Sequence, residues 1–142
     1  MSNVNSELRA LIDSWVQANL ARDVDAILSH YAEDVRAFDA IKQLQFVGHA
    51  AYKAHWQFCM EHCGGPITFE VDQLQQWASG DLGFGHFLCL CGGTNAEGKS
   101  ESGWLRVTQG YRKIDGQWRI VHDHFSVPFD MENGQALFRL QP

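Results

Sequence analysis

The sequence carries no basic run. Its 11 Lys and Arg are outnumbered by 17 Asp and Glu, giving a formal net charge of −6. Nucleic acid and anionic membrane surfaces are both held by clustered cations, so neither is expected as a partner. No stretch approaches the roughly 18 to 20 apolar residues that span a bilayer. The start, Met1-Ser2-Asn3-Val4-Asn5-Ser6, lacks a basic region followed by an apolar run, so no signal peptide is expected. There is no CxxC: the four cysteines stand as Cys59/Cys63 and Cys89/Cys91. Those spacings read as reduced thiols serving as small core hydrophobes, which fits a cytoplasmic location. No glycine-rich phosphate loop, GxSxG or cysteine-nucleophile motif is found, so nucleotide-dependent and covalent hydrolase chemistry are poorly supported and no cofactor is expected. Repeats and low-complexity tracts are missing too.

What is there fits one ordinary domain. The 142 residues are 45% hydrophobic and 20% charged, which excludes a disordered or fibrous chain. Five Trp and nine Phe supply enough large side chains to fill a core and also line a pocket. Leu8, Leu11, Ile12, Trp15 and Val16 recur at helical spacing, predicting a helix over about 5–21. Asp23 is placed to cap a second, short helix bearing Val24, Ile27, Leu28 and Tyr31. Short extended pieces follow at 35–38 and 43–47. Gly48 then opens a third helix with Tyr52, Trp56, Cys59 and Cys63 on one stripe, ended by Gly64-Gly65-Pro66.

The remainder reads as strands. Ile67, Phe69 and Val71 alternate with polar residues, and runs at 84–91, 104–113 and 118–127 follow. The turns between them are Ser79-Gly80-Asp81, the tract 92–102, and Asp115-Gly116, a hairpin signal. Helices first and antiparallel strands after predict an α+β domain with helices on one face of a curved sheet. The expectation is a single domain over 1–142, with its core at about 8–128 and a weakly patterned tail, 129–142.

Three segments carry a resemblance: Ala21 to Asp34, Phe46-Val47-Gly48-His49-Ala50-Ala51-Tyr52, and the hairpin from Tyr111 to Pro128. In that order they resemble the nuclear transport factor 2 superfamily, in its SnoaL-like and ketosteroid-isomerase-like branches. The hairpin is also similar to the association domain of calcium/calmodulin-dependent protein kinase. The resemblance implies a cone-shaped, mostly antiparallel curved sheet wrapped around the N-terminal helices. It also implies a deep pocket and a homodimer formed through the sheet. It does not fix the chemistry, because a fold hosts many functions.

By the same resemblance Asp39 matches the general base of the ketosteroid isomerases. A carboxylate in apolar surroundings holds its proton more tightly, which suits proton abstraction near neutral pH. The bland alternative is a strand-end Asp capping a turn. In those isomerases a Tyr and a protonated Asp hold the oxyanion; here the matching positions are Trp15 and the vicinity of Gln109-Gly110, so a carboxylic acid is missing and steroid isomerisation is not expected. Strand 118–127 offers two faces, Trp118, Ile120, His122, His124, Ser126 and Arg119, Val121, Asp123, Phe125, Val127. The resemblance to cyclases and hydrolases of the superfamily favours the second face, with Asp39 and Asp123 as an acid–base pair and Val121 and Phe125 as wall. His55, Trp56, Phe84 and His86 match ligand-facing positions of the isomerases; the structural alternative is a hydrogen-bonded core histidine at His86 and a Trp56 that is core and wall. His122 and His124 share a strand face and invite a divalent metal, yet the further ligand would have to come from His86, His49 or His55; structural histidines are the expectation and no metal is assigned. Arg106 and Arg112 read as solvated or interface residues.

Two functions remain. One is a cofactor-independent isomerase-, cyclase- or hydrolase-type enzyme acting on a small apolar or aromatic ligand through a pocket carboxylate. The other is a non-catalytic ligand-binding or association domain.

Overall fold

The computed structural model describes residues 3–142. Three helices come early: α1 (Val4–Leu20), α2 (Val24–Leu28) and α3 (His49–His62). Asn3 caps α1, its side-chain oxygen accepting from the Asn5 and Ser6 amides at 2.7 and 3.2 Å. Asp23 caps α2 through the Ala26 amide, as its position predicts. Six strands make one sheet: β1 (Tyr31–Phe38), β2 (Phe46–Val47), β3 (Gly64–Ser79), β4 (Leu82–Thr94), β5 (Ser100–Ile114) and β6 (Gln117–Ser126). They lie in the order β2-β1-β6-β5-β4-β3, with only the β1–β6 pair parallel. The sheet stays open because β2 and β3, its two edges, do not pair. No helix among the described residues is long and apolar enough to cross a membrane.

The strands are longer than their apolar runs suggested. Tract 92–102, expected to be a turn, is mostly ladder: β4 runs to Thr94, β5 restarts at Ser100, and only 95–99 turn. Cross-strand hydrogen bonds hold such polar residues in the sheet whatever their propensity. At the next turn Asp115 and Gly116 take φ of 52° and 81°, the two left-handed residues of a two-residue hairpin.

The core lies between the helices and the inner face of the sheet. Leu8, Ile12 and Trp15 of α1 meet Phe87, Val107, Tyr111 and Ile120, all buried. Fully burying each large apolar side chain contributes on the order of 1.5–3 kcal/mol. Trp118 ties β6 back to α1, its indole N–H donating to Glu7 at 2.9 Å. The tail after β6 also has a place. Phe129 bridges to Ala136, and the chain then reaches β5, where a Cβ at Gly103 would lie 2.7 Å from the Phe138 carbonyl.

Two irregularities decide which side chains face in. In β3 the register shifts between Asp72 and Gln75, with Gln73 at φ 58°. Phe69 is buried before the shift, and after it Trp77 faces out beside its pair partner Phe84. In β6 the register against β5 slips between Ile120 and His122. An extra residue in one strand moves the alternation by one position. Trp118 and Ile120 are therefore buried, and so are Asp123 and Phe125.

Candidate functional site

Four elements converge under the helices. β1 delivers Tyr31 at its start and Asp39 just past its end; α3 contributes Tyr52 and His55, one turn apart; β6 brings Asp123; α1 brings Trp15. Their polar atoms form a chain. The Trp15 indole N–H donates to the Tyr31 hydroxyl at 3.1 Å, and that hydroxyl donates to Asp123 Oδ2 at 2.7 Å. The Tyr52 hydroxyl lies 3.1 and 3.2 Å from the two Asp123 oxygens and 3.2 Å from Asp39 Oδ2. Asp39 Oδ1 is 3.3 Å from His55 Nε2, and Phe46 stacks on the His55 ring at 4.1 Å.

Tyr52 has one hydroxyl proton and two carboxylates in reach. It can serve only one at a time. When Asp123 is ionised, Tyr52 donates to it. When Asp123 is protonated, its own O–H can donate to the Tyr52 oxygen and free the Tyr52 proton for Asp39. Asp123 is fully buried, and burial pushes its carboxyl up to about 7, with the Asp39 charge adding to the rise and the tyrosine hydrogen bonds opposing it. Burial likewise raises both tyrosines well above their ordinary value, so the phenols remain donors.

Beside this seam lies an apolar cavity of about 260 Å³. Trp56, Met60, Phe69, Leu105, Phe125 and Phe138 form much of its wall, together with Cys59, Cys63 and Cys91. The cysteines are free. Burial pushes the Cys59 thiol up to about 11, so it stays protonated and is wall rather than nucleophile. Asp39, His55 and Asn19 are the main polar residues that reach the cavity. A wider, more open cleft of about 780 Å³ runs along the 39–45 loop past Phe38 and His124, and Asp39 borders both hollows. Asp39 also caps its own turn, accepting the Ile41 amide at 3.2 Å, so the bland reading and the site reading hold together.

Of the residues singled out in the sequence, Asp39, His55, Trp56 and Phe125 line the cavity. Asp123 joins Asp39 only through Tyr52 and does not reach the cavity wall. Trp15 sits behind the wall, edge-on to Phe69 at 5.0 Å, with its N–H committed to Tyr31. Gln109 is fully buried and accepts from the Tyr111 hydroxyl at 3.0 Å, away from the cavity. Phe84 and His86 are corrected in orientation. On β4 it is Phe87 and Cys89 that face inward, whereas Phe84 is half exposed and both it and His86 flank Trp77 on the outer face. Val121, expected as wall beside Phe125, falls at the register slip and does not line the cavity. His122 and His124 flank Phe38 opposite Asp123, and among the described residues no three His, Cys, Asp or Glu are grouped as metal ligands.

Sequence reasoning missed Asn19, Phe138 and the role of the tyrosines. Asn19 had a signal: it falls four residues after Trp15 on the buried stripe of α1, where a polar side chain is out of place. Phe138 had none, because the tail carries no period.

A mixed sheet wrapped on helices, with a polar seam at the end of an apolar chamber, defines a class of small cone-like α+β domains. Residues 8–130 match the SnoaL-like domain model, and the chain belongs to that family. It is 50% identical to an NTF2-like protein of unknown function from Pseudomonas putida KT2440, over 96% of this chain and 95% of that one, with a TM-score of 0.90. More distant structures share the fold. A ketosteroid isomerase-like protein from Erwinia carotovora atroseptica SCRI1043 is 19% identical over 85% of this chain and 93% of its own, TM-score 0.73. A proposed calcium/calmodulin dependent protein kinase II association domain from Xanthomonas campestris is 18% identical over 89% and 90%, TM-score 0.78. None of the curated proteins matches the chain.

Proposed function

We propose that this protein is a cofactor-independent acid–base enzyme that moves a proton on a small, mainly apolar ligand, with Asp39 as the base. The observation that carries this reading is that Asp39 is the one carboxylate, among the described residues, lining a mainly apolar cavity. Its Oδ2 is joined through Tyr52 to a second, sealed carboxylate. Asp39 would take a proton from a carbon next to a carbonyl. Once neutral, it no longer repels charge on Asp123, and the Tyr52 hydroxyl, which keeps its own proton, turns its hydrogen bond from Asp39 to Asp123. The seam thus keeps a hydrogen bond on whichever carboxylate is ionised. Asp123 is a positioning residue in this reading, not a group that touches the ligand. Trp15 and Gln109 lie off the cavity, which argues against the oxyanion arrangement of the steroid isomerases. The free thiols fit a reducing, cytoplasmic setting.

The test is exchange of the α-protons of 2-tetralone in D2O, followed by NMR with wild-type protein and Asp39→Asn. Wild type is expected to exchange well above the buffer rate, and the variant to lose roughly 10²- to 10⁴-fold, the ordinary contribution of a positioned base. Exchange no faster than buffer, or undiminished in Asp39→Asn, overturns the reading.

A second reading rests on the outer face of the sheet. There Trp77 and Phe84 stack at 4.9 Å while remaining 45% and 49% exposed, beside the exposed Leu82. Such a patch supports a homodimer through the sheet, as either an enzyme or a purely associating domain. Sedimentation velocity on wild type and Phe84→Ser checks it, with a monomer at all concentrations counting against it.

A further inference from the structure

Resting on the reading of this cavity as the ligand site, we propose that its ligand is a neutral, largely apolar molecule bearing both an acceptor and a donor. The acceptor, a carbonyl oxygen, takes the indole N–H of Trp56. The donor, a hydroxyl or N–H, meets the amide oxygen of Asn19.

Both residues line the cavity, and each leaves one polar atom without a partner. Asn19 is fully buried in α1, and its amide nitrogen is already used, donating to the Trp15 carbonyl at 2.9 Å. That bond fixes which end of the amide is free: the oxygen, an acceptor only. Trp56 is 9% exposed, and its Nε1, a donor only, bonds to nothing. Buried polar groups are nearly always paired, so two orphans of opposite sense on residues lining one cavity define what is wanted from a guest. Gln109 Nε2 is also unpaired, but it does not line the cavity and adds nothing.

Charge narrows the class. No Lys or Arg lines the cavity. Arg106 is bonded to Ser126 and Arg112 pairs with Asp34, both away from it, while Lys42 rests on the Phe58 ring. A carboxylate or phosphate would therefore meet Asp39 with no Lys or Arg to offset the repulsion. A site that hydrogen-bonds a substrate group also rejects the analogue lacking it, because its own polar atoms stay unpaired.

Calorimetric titration of wild type with naphthalene, 2-naphthol, 2-acetylnaphthalene and 6-acetyl-2-naphthol tests this. The two-group probe is expected to bind at least tenfold tighter than naphthalene, with the single-group probes between them. Trp56→Phe, which keeps the ring and removes the N–H, should erase the gain from the acetyl group and leave that from the hydroxyl. Asn19→Leu should do the reverse, provided its circular dichroism melt shows a fold; Trp56→Phe decides alone if it does not. Four equal affinities, no binding of any probe, or a uniform loss in Trp56→Phe overturns the proposal. If the probes discriminate as expected but tetralone exchange is absent, the proton-transfer reading falls and the ligand class stands.

Discussion

Asp39 and Asp123 are the same residue about one tyrosine apart, and their surroundings make them different groups. Asp39 stands at the end of β1 where the chain leaves the sheet, facing an apolar chamber on one side and an open cleft on the other. Asp123 stands in mid-strand with no exposure at all, and both of its oxygens are taken up by tyrosine hydroxyls. A carboxylate that opens on a cavity can exchange protons with a guest. One sealed behind two phenols can only redistribute them within the protein. The lesson is that burial and partner count, rather than residue type, separate a candidate base from its support.

The largest effect is expected from Asp39→Asn, with the roughly 10²- to 10⁴-fold loss of exchange given above. Next in size is the pH dependence of stability. The folded state holds the Asp123 proton up to about pH 7, whereas an unfolded Asp releases it near 3.9. Between those values the folded state binds more protons, so stability is full below the lower pH and falls as pH rises through the window, levelling above about 7. At about 1.36 kcal/mol per unit, the drop attributable to Asp123 is at most about 4 kcal/mol. Urea midpoints at pH 5 and pH 8 should show Asp123→Asn losing this slope; an unchanged slope would mean that Asp123 is ionised throughout.

Tyr52→Phe comes third. It cuts the bridge between the carboxylates while leaving the ring in place, and should cost about 1–3 kcal/mol by stranding buried acceptors. Any tetralone exchange rate should then lose the influence of the Asp123 protonation step. The smallest effect is expected outside the chamber. Phe84→Ser should change monomer stability by no more than about 0.5 kcal/mol and leave probe affinity unchanged, as for an ordinary surface change. Weakened probe binding in Phe84→Ser would join the two faces of the sheet functionally.

Much of the fold was legible because it is local. The stripe Leu8, Ile12, Trp15, the Asp23 cap and the Asp115-Gly116 turn each act through neighbours within a few residues. The site was legible in part. Asp39, His55, Trp56 and Phe125 were singled out and do line the cavity, helped by a family resemblance. Phe84 and His86 face outward against expectation, because a strand's period gives two faces and no label for inside. In β6 neither face was right as a whole: a one-residue slip places Ile120 and Asp123 in the same interior.

The sequence alone determined the class of domain, its helices and hairpin, and the supply of aromatic side chains that any chamber would draw on. Tertiary structure alone decided that Tyr31 and Tyr52 would close over Asp123, that Asn19 would be left with a free oxygen, and that the tail would bring Phe138 to the cavity wall. The physical reason is range. Capping, periodicity and turn chemistry are settled between residues a few positions apart. Burial, shared protons and unpaired polar atoms depend on groups as far apart as Tyr31 and Asp123, which meet only when the sheet is complete.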